Sequence, residues 1–84
     1  MGYFISTSVE PQKVSPQKGS HYNLKELQAY VEGYIEIVYV EDNVIMVVNE
    51  EGMLRDMPFN PIASKIARQP IFGNALLCLS SKIK

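Results

Sequence analysis

Two neighbouring segments in the middle of the chain have the residue pattern of β-strands. Residues 34–40 alternate between two faces and are rich in β-branched and aromatic side chains, whereas residues 44–48 are apolar at every position. The patterns predict two strands, and the polar linker of residues 41–43 predicts that they form a hairpin. Because residues 44–48 have no polar position, either both faces of this strand are covered by other elements or one face contacts another molecule.

A helical period is clearest over residues 24–32. Asn23 is a good N-cap, Glu26 is placed to reach back to the backbone N–H of the cap, and Gly33 is expected to end the helix in a left-handed conformation. One apolar stripe follows the spacing of a helix. Its members are Leu24, Leu27, Tyr30 and Val31.

A second helix is expected to begin at Pro61, because Asn60 is a good N-cap and proline is favoured at the first helical position. Pro70 requires the helix to end before it. The turn of residues 49–52 precedes this helix, and we expect both Gly33 and Gly52 to adopt positive φ.

The remaining segments complete an α+β fold. Alternation after Gly2 predicts a first strand, residues 13–17 predict a weakly specified edge strand, and residues 75–79 predict the last strand. We expect a mainly antiparallel sheet of four or five strands with two short helices on one face. The chain is interpreted as one domain, with an N-terminal strand and polar linker (1–23), a core (24–79) and a polar tail (80–84) that frays.

Composition excludes several classes of chemistry. The 84 residues include one Cys and one His, far apart in the chain, so a zinc site is not expected. Cys78 lies in an apolar strand and is interpreted as core, and His21 lies in the polar linker as a solvated side chain. None of the five glycines belongs to a phosphate-binding loop. We therefore expect no catalytic set, no metal and no cofactor, and we predict that the protein is not an enzyme.

The longest apolar runs are far shorter than the roughly 20 residues that span a bilayer, so we do not expect a membrane protein. The sequence does not resemble a secretory signal, so a cytoplasmic location is the default expectation. A start of Met1-Gly2 with Ser6 fits an N-myristoylation pattern, but these residues also belong to the predicted first strand.

Charge is unevenly distributed behind the net value of −1. Residues 26–56 hold eight acidic side chains and one basic side chain, whereas residues 57–84 hold four basic side chains and none that is acidic. The acidic end of the hairpin, close to the adjacent carboxylates of Glu50 and Glu51, therefore favours a basic partner or a second copy over DNA.

These arguments select seven candidate residues. The hairpin strands could contact a partner, the turn after them could present carboxylates, and the start of the second helix could meet an anion. The candidate ligand or interface residues are Tyr34, Glu36, Val47, Asn49, Glu50, Glu51 and Asn60.

Residues 24–79 resemble a family of small uncharacterised proteins of bacteria, phages and other mobile genetic elements. The resemblance rests on four segments in the expected order, namely residues 27–36, 48–52, 58–63 and 71–77. Members often have Asp where this chain has Asn74. The family has no assigned function, so no catalytic residue is carried over.

The resemblance implies a phage or mobile-element origin and a protein that acts by binding. We expect a non-enzymatic binding or protein-interaction module, with a homo-oligomer or a host protein as partner. The alternative is a protein that sequesters or antagonises a nucleotide-like ligand of host defence.

Overall fold

The computed structural model describes residues 2–83, which form one five-stranded antiparallel sheet and two helices. The strand order is β2-β1-β5-β4-β3, and every neighbouring pair is antiparallel. The predicted α+β fold is confirmed. The elements in chain order are β1 (Gly2–Ile5), β2 (Gln12–Val14), α1 (Leu24–Val31), β3 (Ile35–Glu41), β4 (Val44–Asn49), α2 (Pro61–Ala67) and β5 (Ala75–Leu79).

The two helices lie on opposite faces of the sheet. Ile45 and Val47 of β4 pack in the cluster that contains Leu27 of α1, whereas Met46 and Val48 pack with α2. The expectation that both helices share one face is wrong, because a central strand that is apolar at every position needs cover on both sides. Of the two alternatives for β4, the structure has both faces covered.

Helix α1 begins as predicted and ends one residue earlier. The Asn23 Oδ1 accepts from the Glu26 N–H at 2.8 Å, and Glu32, not Gly33, takes the left-handed conformation at φ 65°. The Glu32 N–H donates to the Gln28 carbonyl, which completes the last turn.

The prediction of positive φ at Gly33 and Gly52 is wrong, since the glycines with positive φ are Gly19 and Gly73. At Gly33 and Gly52 glycine is required instead because neighbouring atoms come very close to the backbone. A Cβ on Gly33 would lie 2.8 Å from Asn49 Nδ2, and one on Gly52 would lie 2.5 Å from the Phe72 carbonyl oxygen. Both sites therefore need a residue without a side chain, whatever its φ.

The C-terminal segment is folded as far as it is described. Residues Ser80–Lys82 form a 3₁₀ turn, and Ile83 pairs in parallel with Tyr22, whose N–H donates to the Lys82 carbonyl at 2.7 Å. The predicted fraying is thus not observed for residues 80–83. Lys84 of that tail and Met1 of the N-myristoylation pattern lie outside the described residues.

Within residues 2–83, no helix combines the length and the apolar character that are needed to cross a membrane.

The two leucines of α1 give a matched test of this packing. Leu27 is 3% exposed and Leu24, which was expected on the same stripe, is 58% exposed. We predict that Leu27→Ala lowers the free energy of unfolding by about 2–4 kcal/mol, because it leaves a cavity between α1 and the sheet. Leu24→Ala should change it by less than about 0.5 kcal/mol. Urea denaturation measures both, and equal losses would contradict the placement of α1.

Candidate functional site

The seven residues selected from the sequence divide into a buried and an exposed group. Val47, Asn49 and Asn60 are buried, so their side chains cannot present a surface to a partner. Tyr34, Glu36, Glu50 and Glu51 are exposed. The structure brings only three of the seven, Glu36, Asn49 and Glu50, to a common cavity, which has a small volume of about 160 Å³.

Asn60 holds three segments together at the start of α2. Its Nδ2 donates to the carbonyls of Ile5 and Gly73, each at 2.9 Å, and its Oδ1 accepts from the Ala63 N–H at 3.1 Å. With these bonds every polar atom of the side chain is satisfied. Asn60 is therefore a structural residue. The anion site predicted here depended on backbone N–H groups, and two of them are already used, since the Asn60 N–H donates to the Ile71 carbonyl at 2.8 Å and the Ala63 N–H donates to Asn60 Oδ1.

Asn49 plays a similar part at the end of β4, at the same end of the sheet. Its Nδ2 donates to the Val31 carbonyl at 2.9 Å, which ties β4 to the C-terminal end of α1. Its Oδ1 accepts from the Glu51 N–H at 2.7 Å and shapes the turn after β4. The close contact with Gly33 described above makes this arrangement possible.

A larger cavity lies beside α1, next to β1 and the linker that follows β2. Its volume is about 520 Å³, within the range of small-molecule sites in proteins. Its wall combines aromatic, acidic, basic and amide side chains. The residues that line it are Phe4, Gln17, Lys18, Asn23, Lys25, Glu26, Ala29, Tyr30, Glu32 and Asn74. We call it the Glu26 cavity.

The carboxylate of Glu26 is the unusual group in this cavity. Glu26 is only 6% exposed, and its Oε2 accepts from the Gln17 N–H at 2.8 Å. Its Oε1 is buried and has no hydrogen-bond partner among residues 2–83. It is the only buried side-chain polar atom of the described residues in that condition. The carboxylate does not close the predicted capping box but bonds to the linker.

Aromatic rings form one side of the cavity. Phe4 and Tyr30 both line it, and their ring centroids are 5.1 Å apart at an interplanar angle of 40°. Behind them, Tyr22 meets Tyr30 edge to face at 6.4 Å. Burial, and then the charge of Glu26, raises the pKa of Tyr30. The tyrosine stays neutral and offers an aromatic surface to a ligand.

Charged groups of both signs surround this aromatic wall. Lys18 and Lys25 line the cavity together with Glu26, so its wall includes two basic residues. Glu32 is a second acid on the wall, and it accepts from Asn74 Nδ2 at 3.3 Å. The cavity is thus balanced in charge and suits a ligand that has both a donor group and an anionic group.

No group of three or more His, Cys, Asp or Glu residues that could hold a metal ion occurs in the described range. Cys78 is buried as expected, and burial raises the pKa of its thiol, which disfavours the reactive thiolate. His21 is exposed and its Nδ1 lies 3.0 Å from Ser20 Oγ. Neither residue lines the Glu26 cavity.

The family model for a domain of unknown function (DUF3846) matches residues 6–82. The chain belongs to this family. The resemblance identified over residues 24–79 is therefore confirmed, and the DUF3846 match extends beyond it at both ends. It includes Gln17, Lys18 and Glu26 and starts just after Phe4. Comparisons with curated proteins and with solved structures gave no match.

Sequence reasoning missed the Glu26 cavity of this DUF3846 chain. Glu26 was explained as the residue that reaches back to the backbone N–H of the cap, a role unrelated to ligands. Its contact with Gln17 joins α1 to the linker after β2. The linker has no periodic pattern, so the sequence does not predict where it lies. The only available signal was that Tyr30 lies one helical turn after Glu26, on the same side of α1.

Tyr22, which packs against this wall, generates a pH-dependent prediction. It is fully buried, its hydroxyl donates to the Val14 carbonyl at 3.1 Å, and burial, followed by Cys78, Tyr30 and Glu26, raises its pKa from 10.0 to about 12. The unfolded chain therefore ionises first. Neutral, buried Tyr22 therefore adds to the free energy of unfolding. This contribution is complete below pH 10 and is lost as the pH rises towards 12.

We predict that Tyr22→Phe costs about 1 kcal/mol at neutral pH through the lost hydrogen bond. Between pH 10 and 12, the variant should lose less stability than the wild type does. Tyr39→Phe is the matched control because Tyr39 is 80% exposed. Chemical denaturation across this pH range measures the effect, and parallel curves for wild type and Tyr22→Phe would contradict it.

Proposed function

We propose that this protein is a non-enzymatic binding module that holds a small ligand in the Glu26 cavity. The observation that carries the proposal is the buried Glu26 Oε1 without a partner. A buried carboxylate oxygen without a hydrogen bond is costly to a folded protein. A ligand that donates an N–H or O–H to this oxygen would remove the cost, and it would have to displace part of the cavity wall to do so, because Oε1 is itself buried.

The surroundings of Glu26 support binding over catalysis. A catalysed reaction generally needs an acid, a base or a nucleophile within reach of one another. The cavity does contain carboxylates, ammonium groups and a phenol, but within residues 2–83 no hydrogen bond joins any two of them. Both carboxylates are held in place by protein donors, Gln17 N–H for Glu26 and Asn74 Nδ2 for Glu32, which suits recognition of a fixed ligand.

The biological setting is part of the same proposal. The family resemblance implies a phage or other mobile element acting in the cytoplasm of a host. A small binding protein without a catalytic set would act by withdrawing its ligand from use. A nucleotide-like molecule of host defence is the ligand that this setting favours.

A thermal-shift screen tests the proposal. We predict that at least one class of compound among nucleotides, nucleosides, amino acids and polyamines raises the melting temperature by several degrees at saturation. Ala29→Trp should abolish the shift, because Ala29 is an exposed residue on the cavity wall. Lys65→Trp, at an exposed position of α2 on the other face, is the matched control and should keep it. The proposal is wrong if no class shifts the wild type or if Ala29→Trp responds like the control.

A second candidate function is contact with another protein through the outer strand β3. This strand lies at the end of the sheet, and the outer edge of such a strand presents backbone groups to a partner. Tyr34 and Tyr39 are exposed beside it, and Glu36 and Glu41 make it acidic. A basic partner or a second copy of the chain would fit this edge.

Sedimentation velocity tests pairing with a second copy. We predict that the wild type self-associates at low salt, where the acidic β3 edge of one copy attracts the exposed Lys65 and Arg68 at α2 of the next. Tyr39→Lys places a like charge in this contact and should shift the protein to monomer. The substitution should leave the melting temperature unchanged, since Tyr39 is exposed. A wild type that is monomeric at every salt and protein concentration would exclude this candidate.

A further inference from the structure

We infer that the part of the sheet face beside α2 is a docking site for a second copy of this chain, and that the second copy fills it with its own α2. The inference goes beyond the proposed function, because α2 lies on the other side of the sheet from the Glu26 cavity. It also differs from contact through the outer edge of β3, since here the second copy covers a face of the sheet.

The two faces of the sheet are covered unequally at the end where β1 and β4 begin. On the α1 side, Ile45 and Cys78 pair across β4 and β5 and are 2% and 4% exposed. Side chains alternate between the two faces along a strand. On the α2 side of the same end, Leu79 is 45% exposed and Tyr3 is 43% exposed. Only the α1 side has cover there.

The size of α2 explains why this region is open. β5 has five residues and is about 17 Å long, whereas a helix laid across it covers about 10 Å. α2 does cross the sheet. Its start is tied to β1 by the bond from Asn60 to the Ile5 carbonyl, and just after its end Gln69 lines a cavity with Glu36 of β3. Room for a second helix therefore remains on this face.

Four apolar residues make up the uncovered region, which we call the open face. Together with Gly2 and Cys78 they line one cavity of about 220 Å³. The open face consists of Tyr3, Val44, Leu77 and Leu79. Apolar side chains that are grouped on a surface in this way mark a contact site, whereas single exposed ones do not.

Charge complementarity identifies a second copy as the occupant. Glu41 pairs with Val44 of the open face, and Asp42 follows it in the hairpin turn, so the open face has an acidic margin. The exposed residues at the end of α2 are basic, namely Lys65 and Arg68. Every copy of the chain therefore carries both an acidic margin and a helix with a basic end that fits it.

A two-fold axis parallel to α2 joins these surfaces in both directions. Rotation about this axis keeps the order from β1 to β3, so α2 of the second copy starts above β1 and ends above β3. Its exposed first residues, Pro61 and Ile62, then meet Tyr3 on β1, and its basic end meets Glu41 on β3. The contact is reciprocal, as in other two-fold dimers, and each face gains the cover that one helix does not provide.

Sedimentation velocity at low salt tests the docking site with two leucine variants. We predict that the wild type dimerises reversibly at about 200 μM, because a contact over a few short strands is at the small end of protein interfaces. Leu79→Glu should weaken the dimer at least about tenfold, because it places a charge in the open face. Leu24→Glu, at a 58% exposed position of α1, is the matched control and should dimerise like the wild type. Circular dichroism checks that both variants are folded.

Opposite charge reversals test the identity of the partner. One variant has an acidic helix, through Lys65→Glu with Arg68→Glu, and the other has a basic hairpin, through Glu41→Lys with Asp42→Lys. Each alone should be monomeric, because its copies bring like charges together. An equimolar mixture should form a heterodimer, since the acidic helix of one variant then meets the basic hairpin of the other. Damage to folding would not be repaired by mixing.

Three results would overturn the inference: a monomeric wild type, a Leu79→Glu variant that dimerises as strongly as the wild type, or a mixture that stays monomeric. Tyr39 lies on the α1 side, because it pairs with Ile45. If Tyr39→Lys abolishes dimerisation and Leu79→Glu retains it, contact through the β3 edge stands and the open face is excluded. Ligand binding in the Glu26 cavity does not depend on either result.

Discussion

Burial of β4 on both faces is the constraint on which this structure depends. Its apolar residues alternate between the cluster under α1 and the cluster under α2, and its neighbours β3 and β5 satisfy its backbone. A chain of 84 residues can bury only a small hydrophobic core. In this structure the core is divided into two thin layers, one on each face of the sheet. Each layer therefore relies on one short helix.

Two buried asparagines fix those helices to the sheet. Short helices end with unpaired backbone groups, and a buried carbonyl or N–H without a partner is costly. Asn49 pairs with the C-terminal end of α1, and Asn60 caps α2 while it joins β1 to the segment before β5. Both asparagines belong to segments that carry the family resemblance. Their part in the fold accounts for the presence of asparagine at these two positions without any role in binding a ligand.

The sequence predicted those parts of the fold that depend on local pattern. The hairpin, β5 and the first residues of both helices are where periodicity, turn residues and caps place them. The faces of the helices, the exposure of Leu24 and the left-handed Glu32 depended on contacts between distant segments, which periodicity does not describe. The aromatic and acidic parts of the Glu26 cavity come from β1, the linker and α1, and nothing local links Phe4, Gln17 and Glu26.

The pairing of β1 with β5 joins residues that are very distant along the chain, such as Gly2 with Cys78. High contact order of this kind slows folding, and β5 is the last strand to leave the ribosome. Until it arrives, both β1 and β4 lack a neighbour and present open edges that can pair with other chains. Phe4 and Asn74 come from these late-joining segments, so the cavity is completed only when the sheet closes. The topology therefore leaves two open strand edges for as long as β5 is unpaired.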